Sequence, residues 1–159
     1  MIETGIFPQR KLLGLSRPFI SATHPNSNAS DVIGPLWGEM SKLYFSLKLD
    51  RDANPVGVGA MWNAGDGEPG SMIYFAGYEV NELPEDAGGL VALVLETTKY
   101  AFIEHNGPMS ELPAEITSFY KDLLPSSGIE RVVGIDLEIY HESDNPELPP
   151  RVVIAAPVI

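Results

Sequence analysis

The sharpest pattern in the chain is the strict alternation that ends in Ile135-Asp136-Leu137-Glu138-Ile139-Tyr140. Val133, Ile135, Leu137 and Ile139 fall on one face of a strand, and Asp136, Glu138 and Tyr140 on the other. The first set predicts a core face. The second sets two carboxylates beside an aromatic ring, an arrangement that holds an organic cation because carboxylates and ring faces both attract positive charge. The bland alternative is a half-exposed strand with solvated acids.

The same patterning predicts the other elements. Lys11 to Ile20 reads as a first strand. After the candidate N-caps Ser30 and Asp31, the residues Ile33, Leu36, Trp37, Met40 and Tyr44 recur at helical spacing, giving a helix to about Leu47. Pro35 is placed in or near its first turn. Asp50 to Pro55 is a turn. Val56 to Trp62 and Met72 to Val80 are strands joined by the Gly-rich loop Asn63 to Gly70. Leu90 to Leu95 and Lys99 to His105 are extended. Pro108 to Pro113 introduces a second helix, with Ile116, Phe119, Tyr120 and Leu123 on one face, ended by Pro125 to Gly128. Arg131 to Tyr140 is a strand, Ser143 to Pro150 a polar loop and Val152 to Val158 a last strand.

Strand-helix-strand-strand thus occurs twice. It predicts an α+β fold of duplicated βαββ modules within a single domain, residues 1–159, with halves near 1–82 and 83–159. Each module buries one face of an antiparallel sheet under its helix, and the modules face one another across a central ligand cleft.

The apolar fraction, 44%, is adequate for a core. The absence of cysteine excludes disulfides and thiolate metal sites. No apolar run is long enough to span a bilayer, and the N-terminus lacks a signal-peptide layout, so a cytoplasmic, membrane-free protein is expected. A net charge of −12 with scattered basic residues argues against direct nucleic-acid binding and favours cationic small molecules.

Gly65-Asp66-Gly67-Glu68-Pro69-Gly70 matches the G-x-G-x-x-G pattern, but a phosphate-binding version must open a helix, and this one lies between two strands. His24, His105 and His141 show no ligand spacing, so neither metal nor cofactor is expected. No G-x-S-x-G elbow surrounds any serine. Trp37 and Trp62 are ordinarily core residues. Tyr74, Phe75 and Tyr78 crowd one strand, and Tyr100 and Phe102 share a face of another.

Ile33-Gly34-Pro35-Leu36-Trp37, the stretch from Tyr74 to Val80, the stretch from Lys99 to Gly107 and Asp136-Leu137-Glu138-Ile139-Tyr140 follow one another as in GyrI-like effector-binding domains. From about Lys11 to Ile159 the chain resembles that family, which includes the ligand-binding domains of AraC-type and MerR-type multidrug-responsive regulators. The resemblance implies a cleft for lipophilic, often cationic compounds, with an acidic residue at Glu138 facing aromatic residues. Trp37, Tyr78 and Tyr140 carry over by position. Trp62 is added from the strand reading, and Tyr100 and Phe102 from the aromatic cluster. No helix-turn-helix segment precedes the first module, so a stand-alone binding protein is expected. The resemblance leaves two alternatives open. One is a hydrolase of reactive small molecules with Glu138 as general base; the other is an acidic inhibitor of a protein partner such as gyrase.

Overall fold

The computed structural model describes residues 1–48, 55–143, 145 and 147–159. Apart from Pro55, the turn expected at Asp50 to Pro55 lies outside the described residues. The elements run β1 (Glu3–Phe7), β2 (Arg10–Ile20), α1 (Ala29–Ser46), β3 (Gly57–Asn63), β4 (Ser71–Val80), β5 (Val91–Leu95) and β6 (Thr98–His105). A helical run follows: a 3-10 turn (Met109–Glu111), α2 (Leu112–Ser118), a π turn (Phe119–Leu123) and the short α3 (Leu124–Ser126). Two strands, β7 (Asp136–His141) and β8 (Arg151–Pro157), close the chain.

Among the described residues the strands form one eight-stranded antiparallel sheet, in the order β1-β6-β8-β7-β3-β4-β2-β5. The α+β class and the antiparallel pairing match the expectation. The two sheets facing one another do not. Strand β3 pairs directly with β7, with Gly59 opposite Glu138. This pairing satisfies two backbone edges that would otherwise stand open, and it fuses both parts of the chain into one sheet.

The connections bend that sheet. Pro8 and Gln9 join β1 to β2, and Glu96 and Thr97 join β5 to β6, although each pair belongs to opposite ends of the strand order. Across these turns the Gln9 amide donates to the Glu96 carboxylate at 3.3 Å. The sheet therefore curls until its ends share an interior, filled by Leu12, Val58, Phe75, Leu95, Tyr100 and Ile139 among others. Helix α1 covers part of the outer face over Leu13, Phe19, Tyr74 and Ala76. The 109–126 helical run covers another part over Ala101, Ile103, Val152 and Ile154. With both faces covered, a central strand such as β8 is apolar almost throughout.

Three local expectations need correction. Strand β1 was not foreseen: it is short and mostly exposed, and it becomes a strand by pairing with β6 while Phe7 packs 4.8 Å from the Tyr100 ring. Strand β7 begins at Asp136 rather than Arg131, and Val133, assigned to the core, is 102% exposed. Opposite this stretch stands Pro157, which has no N–H to extend the ladder; an isolated Arg131–Val158 bridge, flanked by Val132 N–H to Pro157 carbonyl and Ile159 N–H to Glu130 carbonyl bonds, follows instead. Helix α1 begins at Ala29, which puts Pro35 in its second turn. Asn28, just before it, uses its side chain to accept the Ile20 N–H at 2.7 Å, tying the helix start to the end of β2.

The glycine-rich stretch connects β3 to β4, as expected, with Gly65, Gly67 and Gly70 at positive φ. His105 is 2% exposed. Its Nδ1 faces Glu115 and its Nε2 donates to the Pro108 carbonyl at 2.9 Å. Two acceptors around one ring favour the doubly protonated imidazolium, and the Glu115 hydrogen bond is the main cause of its raised pKa.

Candidate functional site

The site is built on what β3 lacks. Its outward face presents Gly57, Gly59 and Met61. In register beside them β7 sets Tyr140, Glu138 and Asp136, and β4 sets Tyr78, Ala76 and Tyr74. Helix α1 lies over β2 and β4, and the 109–126 run packs over β6 and β8, so this glycine strip lies between the two helical covers. A Cβ at Gly59 would stand 2.2 Å from the Tyr74 hydroxyl oxygen, and one at Gly57 would stand 3.3 Å from the Trp37 ring. The glycines let these rings close over the sheet and reach the acid.

Glu138 is half-buried at the centre. Its Oε1 accepts the Tyr140 hydroxyl at 2.9 Å and the Tyr74 hydroxyl at 3.3 Å. The Trp37 indole N–H donates to the Tyr74 oxygen at 2.9 Å, completing a relay from α1 through β4 to β7. Trp37 meets Tyr140 edge-on at 5.6 Å and Tyr78 at 6.4 Å. The Tyr78 hydroxyl lies 3.2 Å from that of Ser41 on α1. Burial raises the Glu138 pKa; the Tyr140 and Tyr74 hydroxyls oppose the rise, and the nearby Asp136 charge adds to it. Burial also raises the pKa values of Tyr74 and Tyr140, with the Glu138 charge adding to it, so both hydroxyls keep their protons and donate. This is a partly desolvated anion ringed by aromatic side chains and held by fixed donors.

A second carboxylate stands two residues away on the same strand face. Asp136 takes the Arg131 Nη2 on both its oxygens at 3.1 Å. The Arg131 guanidinium lies over the Tyr120 ring, 5.1 Å from its centroid. Tyr120 sits in the π turn, where the widened winding re-aims a side chain. Its hydroxyl stabilises the Asp136 charge, while burial pushes the Asp136 pKa up and Arg131 pulls it down.

The structure therefore brings together Trp37, Tyr78, Glu138 and Tyr140. It does not bring Trp62, Tyr100 or Phe102 to them. All three pack against the sheet interior, on the opposite face from Glu138. Tyr100 donates to the Ile135 carbonyl at 3.0 Å, and burial pushes its hydroxyl pKa up to about 12. Tyr74, Tyr120 and Asp136 belong to the constellation and were not among the predicted site residues. Tyr74 had a signal, being in phase with Tyr78 on β4. Asp136 had one too, being in phase with Glu138. Tyr120 had none, because a helical periodicity cannot foresee a π turn.

A separate cavity of about 440 Å³ lies at the 141–151 loop, lined by Asn106, His141, Ser143 and Arg151 among others. No Trp, Tyr or Phe lines it among the described residues. No helix of the described residues is long and apolar enough to cross a membrane.

Comparison with known proteins places the fold and the family. The chain is 29% identical over 128 residues to the transcriptional regulator BrlR of Pseudomonas aeruginosa, covering 79% of this chain and 45% of that protein. The chain thus spans less than half the length of this relative. Among solved structures, SAV2435 bound to tetraphenylphosphonium shares the fold with a TM-score of 0.74 at 16% identity, over 100% of this chain and 94% of that one. An integron cassette protein from Vibrio cholerae does so with a TM-score of 0.67 at 14% identity, over 99% and 95% of the two chains. The C-terminal domain of EcmrR gives 0.60 at 16% identity, over 100% and 97%. A family profile described as the GyrI-like small molecule binding domain matches residues 15–159, nearly the whole sequence, and the chain belongs to that family.

Proposed function

We propose that this chain binds lipophilic cations in the cleft between its helical covers, with Glu138 as counter-charge, Trp37, Tyr78 and Tyr140 as walls, and the buried Tyr74 holding the acid in place. The observation that carries the reading is the Glu138 carboxylate, half-buried and held by two tyrosine hydroxyls among rings. Such an anion has lost part of its hydration, so a soft organic cation, itself weakly hydrated, is a better partner than a hydrated metal ion. Each ring adds on the order of 0.5–2 kcal/mol of cation attraction, which selects for charge without selecting one narrow shape. The tetraphenylphosphonium in the SAV2435 structure is a ligand of this class on the same fold. We further read the two halves as related βαββ modules. The paired order β3-β4-β2 in the first and β7-β8-β6 in the second supports that reading.

The test is calorimetric titration of methyltriphenylphosphonium and neutral triphenylphosphine oxide into wild type and Glu138→Gln. The substitution is expected to weaken the cation about tenfold, which corresponds to about 1.4 kcal/mol, and to leave the neutral compound within twofold. Because the Glu138 pKa is raised, wild-type cation binding weakens on acidification at a higher pH than an ordinary carboxylate would give. Equal losses for both compounds would remove Glu138 from the site. The same raised pKa suits a general base, with the Tyr140 hydroxyl at 2.9 Å as its proton partner. Covalent change of a reactive ligand, absent in Glu138→Gln, would move the reading from binding to hydrolysis.

A further inference from the structure

The two carboxylates on the outer face of β7 are in different states. Among the described residues, Glu138 is met by two neutral hydroxyl donors, Tyr140 and Tyr74. Asp136 already has a cation: the Arg131 guanidinium sits on both its oxygens and over the Tyr120 ring. A delocalised, weakly hydrated cation between a carboxylate and an aromatic face is the same arrangement proposed for the ligand at Glu138. The Arg131 side chain is 46% exposed and that of Asp136 only 17%, so the cation comes from the solvent side onto an anion embedded in the wall.

We propose that Asp136 and Tyr120 form a second cation subsite of the cleft, filled in the free protein by the chain's own Arg131, so that the cleft presents one open negative charge and takes monocations in preference to dications. This rests on the reading of Glu138 as the cation's partner. Residues two apart on a strand face are about 7 Å apart, so the subsites suit a rigid dication whose charges stand at about that separation. With Arg131 in place, Asp136, Glu138 and Arg131 sum to −1; without it they sum to −2. A second positive group on a ligand must displace the guanidinium or meet its repulsion.

The test compares p-xylylene-bis(trimethylammonium) with (4-methylbenzyl)trimethylammonium, one scaffold carrying two charges or one. Both are titrated at low ionic strength into wild type, Glu138→Gln, Arg131→Gln and Arg131→Gln/Asp136→Asn, with melting temperatures recorded to show that each variant folds. Arg131→Gln is expected to raise the dication's affinity relative to the monocation's about tenfold. The added Asp136→Asn is expected to cancel that gain, and salt to shrink it. An unchanged ratio in Arg131→Gln, with monocation binding still dependent on Glu138, would overturn the second subsite and leave the cleft reading intact. Monocation binding indifferent to Glu138→Gln would overturn the cleft reading and the subsite together.

Discussion

The two faces of the β3–β7 pair are built from the same two strands and do opposite work. Inward, Val58, Ala60, Leu137 and Ile139 are at most 1% exposed and pack in one apolar cluster. Outward, Gly57, Gly59, Asp136, Glu138 and Tyr140 carry two acids, a ring and two absent side chains. The inner face is tight because the curled sheet encloses it. The outer face can hold polar groups because the glycines leave space there, into which the Trp37 ring from α1 and the Tyr74 ring close. A strand's two-residue period thus lets one segment anchor the fold and furnish a site without either role disturbing the other.

Truncating the inner face should give the largest effect. Leu137→Ala removes a side chain 1% exposed, and a loss of about 2–5 kcal/mol in stability is expected by denaturant titration. The ratio of cation to neutral-compound affinity should stay unchanged in the folded fraction. A shifted ratio would break the separation between the faces.

Filling the outer face should cost less stability and, unlike the inner truncation, alter binding. Gly59→Ala drives a methyl to 2.2 Å from the Tyr74 hydroxyl, and Tyr74 is fully buried with no room to retreat. A destabilisation of about 1–3 kcal/mol is expected from overpacking, together with weakened cation binding as the Trp37–Tyr74–Glu138 relay is displaced. Unaltered binding would mean that the glycine strip only serves helix packing.

The smallest effect sharpens the comparison by locating a charge that supports fold but not site. The raised folded pKa of His105 means that its stabilisation is fully present below the unfolded histidine value. It is then lost as pH rises through the folded value. Glu115→Gln should flatten that slope and cost about 1 kcal/mol on its acidic side, the partner being 37% exposed and partly screened. Cation binding should not follow. A slope that survives the substitution would assign it to another group.

Much of this was legible in the alternation. Periodicity located the α1 face of Trp37, Met40 and Tyr44 and the outward set Asp136, Glu138 and Tyr140. It could not say which side of each strand the helices cover. The strand reading turns Trp62 towards the cleft, and the aromatic cluster does the same for Tyr100 and Phe102, yet a sheet buried on both faces needs aromatics on both. Nor does local patterning register a partner distant in sequence. β1 is a strand because β6 lies beside it, and β7 starts late because Pro157 stands opposite.

The two-residue crossings at Pro8–Gln9 and Glu96–Thr97 also have a mechanical consequence. Through them β1 is stitched onto β6, and β5 onto β2, so each half of the chain wears a border strand supplied by the stretch ahead of the other. A scissor cut in the 82–89 loop would leave neither fragment whole: one would hold an orphan β1, the other an orphan β5. The molecule is clasped like a buckle. The two halves therefore cannot be parted at the 82–89 loop without stripping a border strand from each.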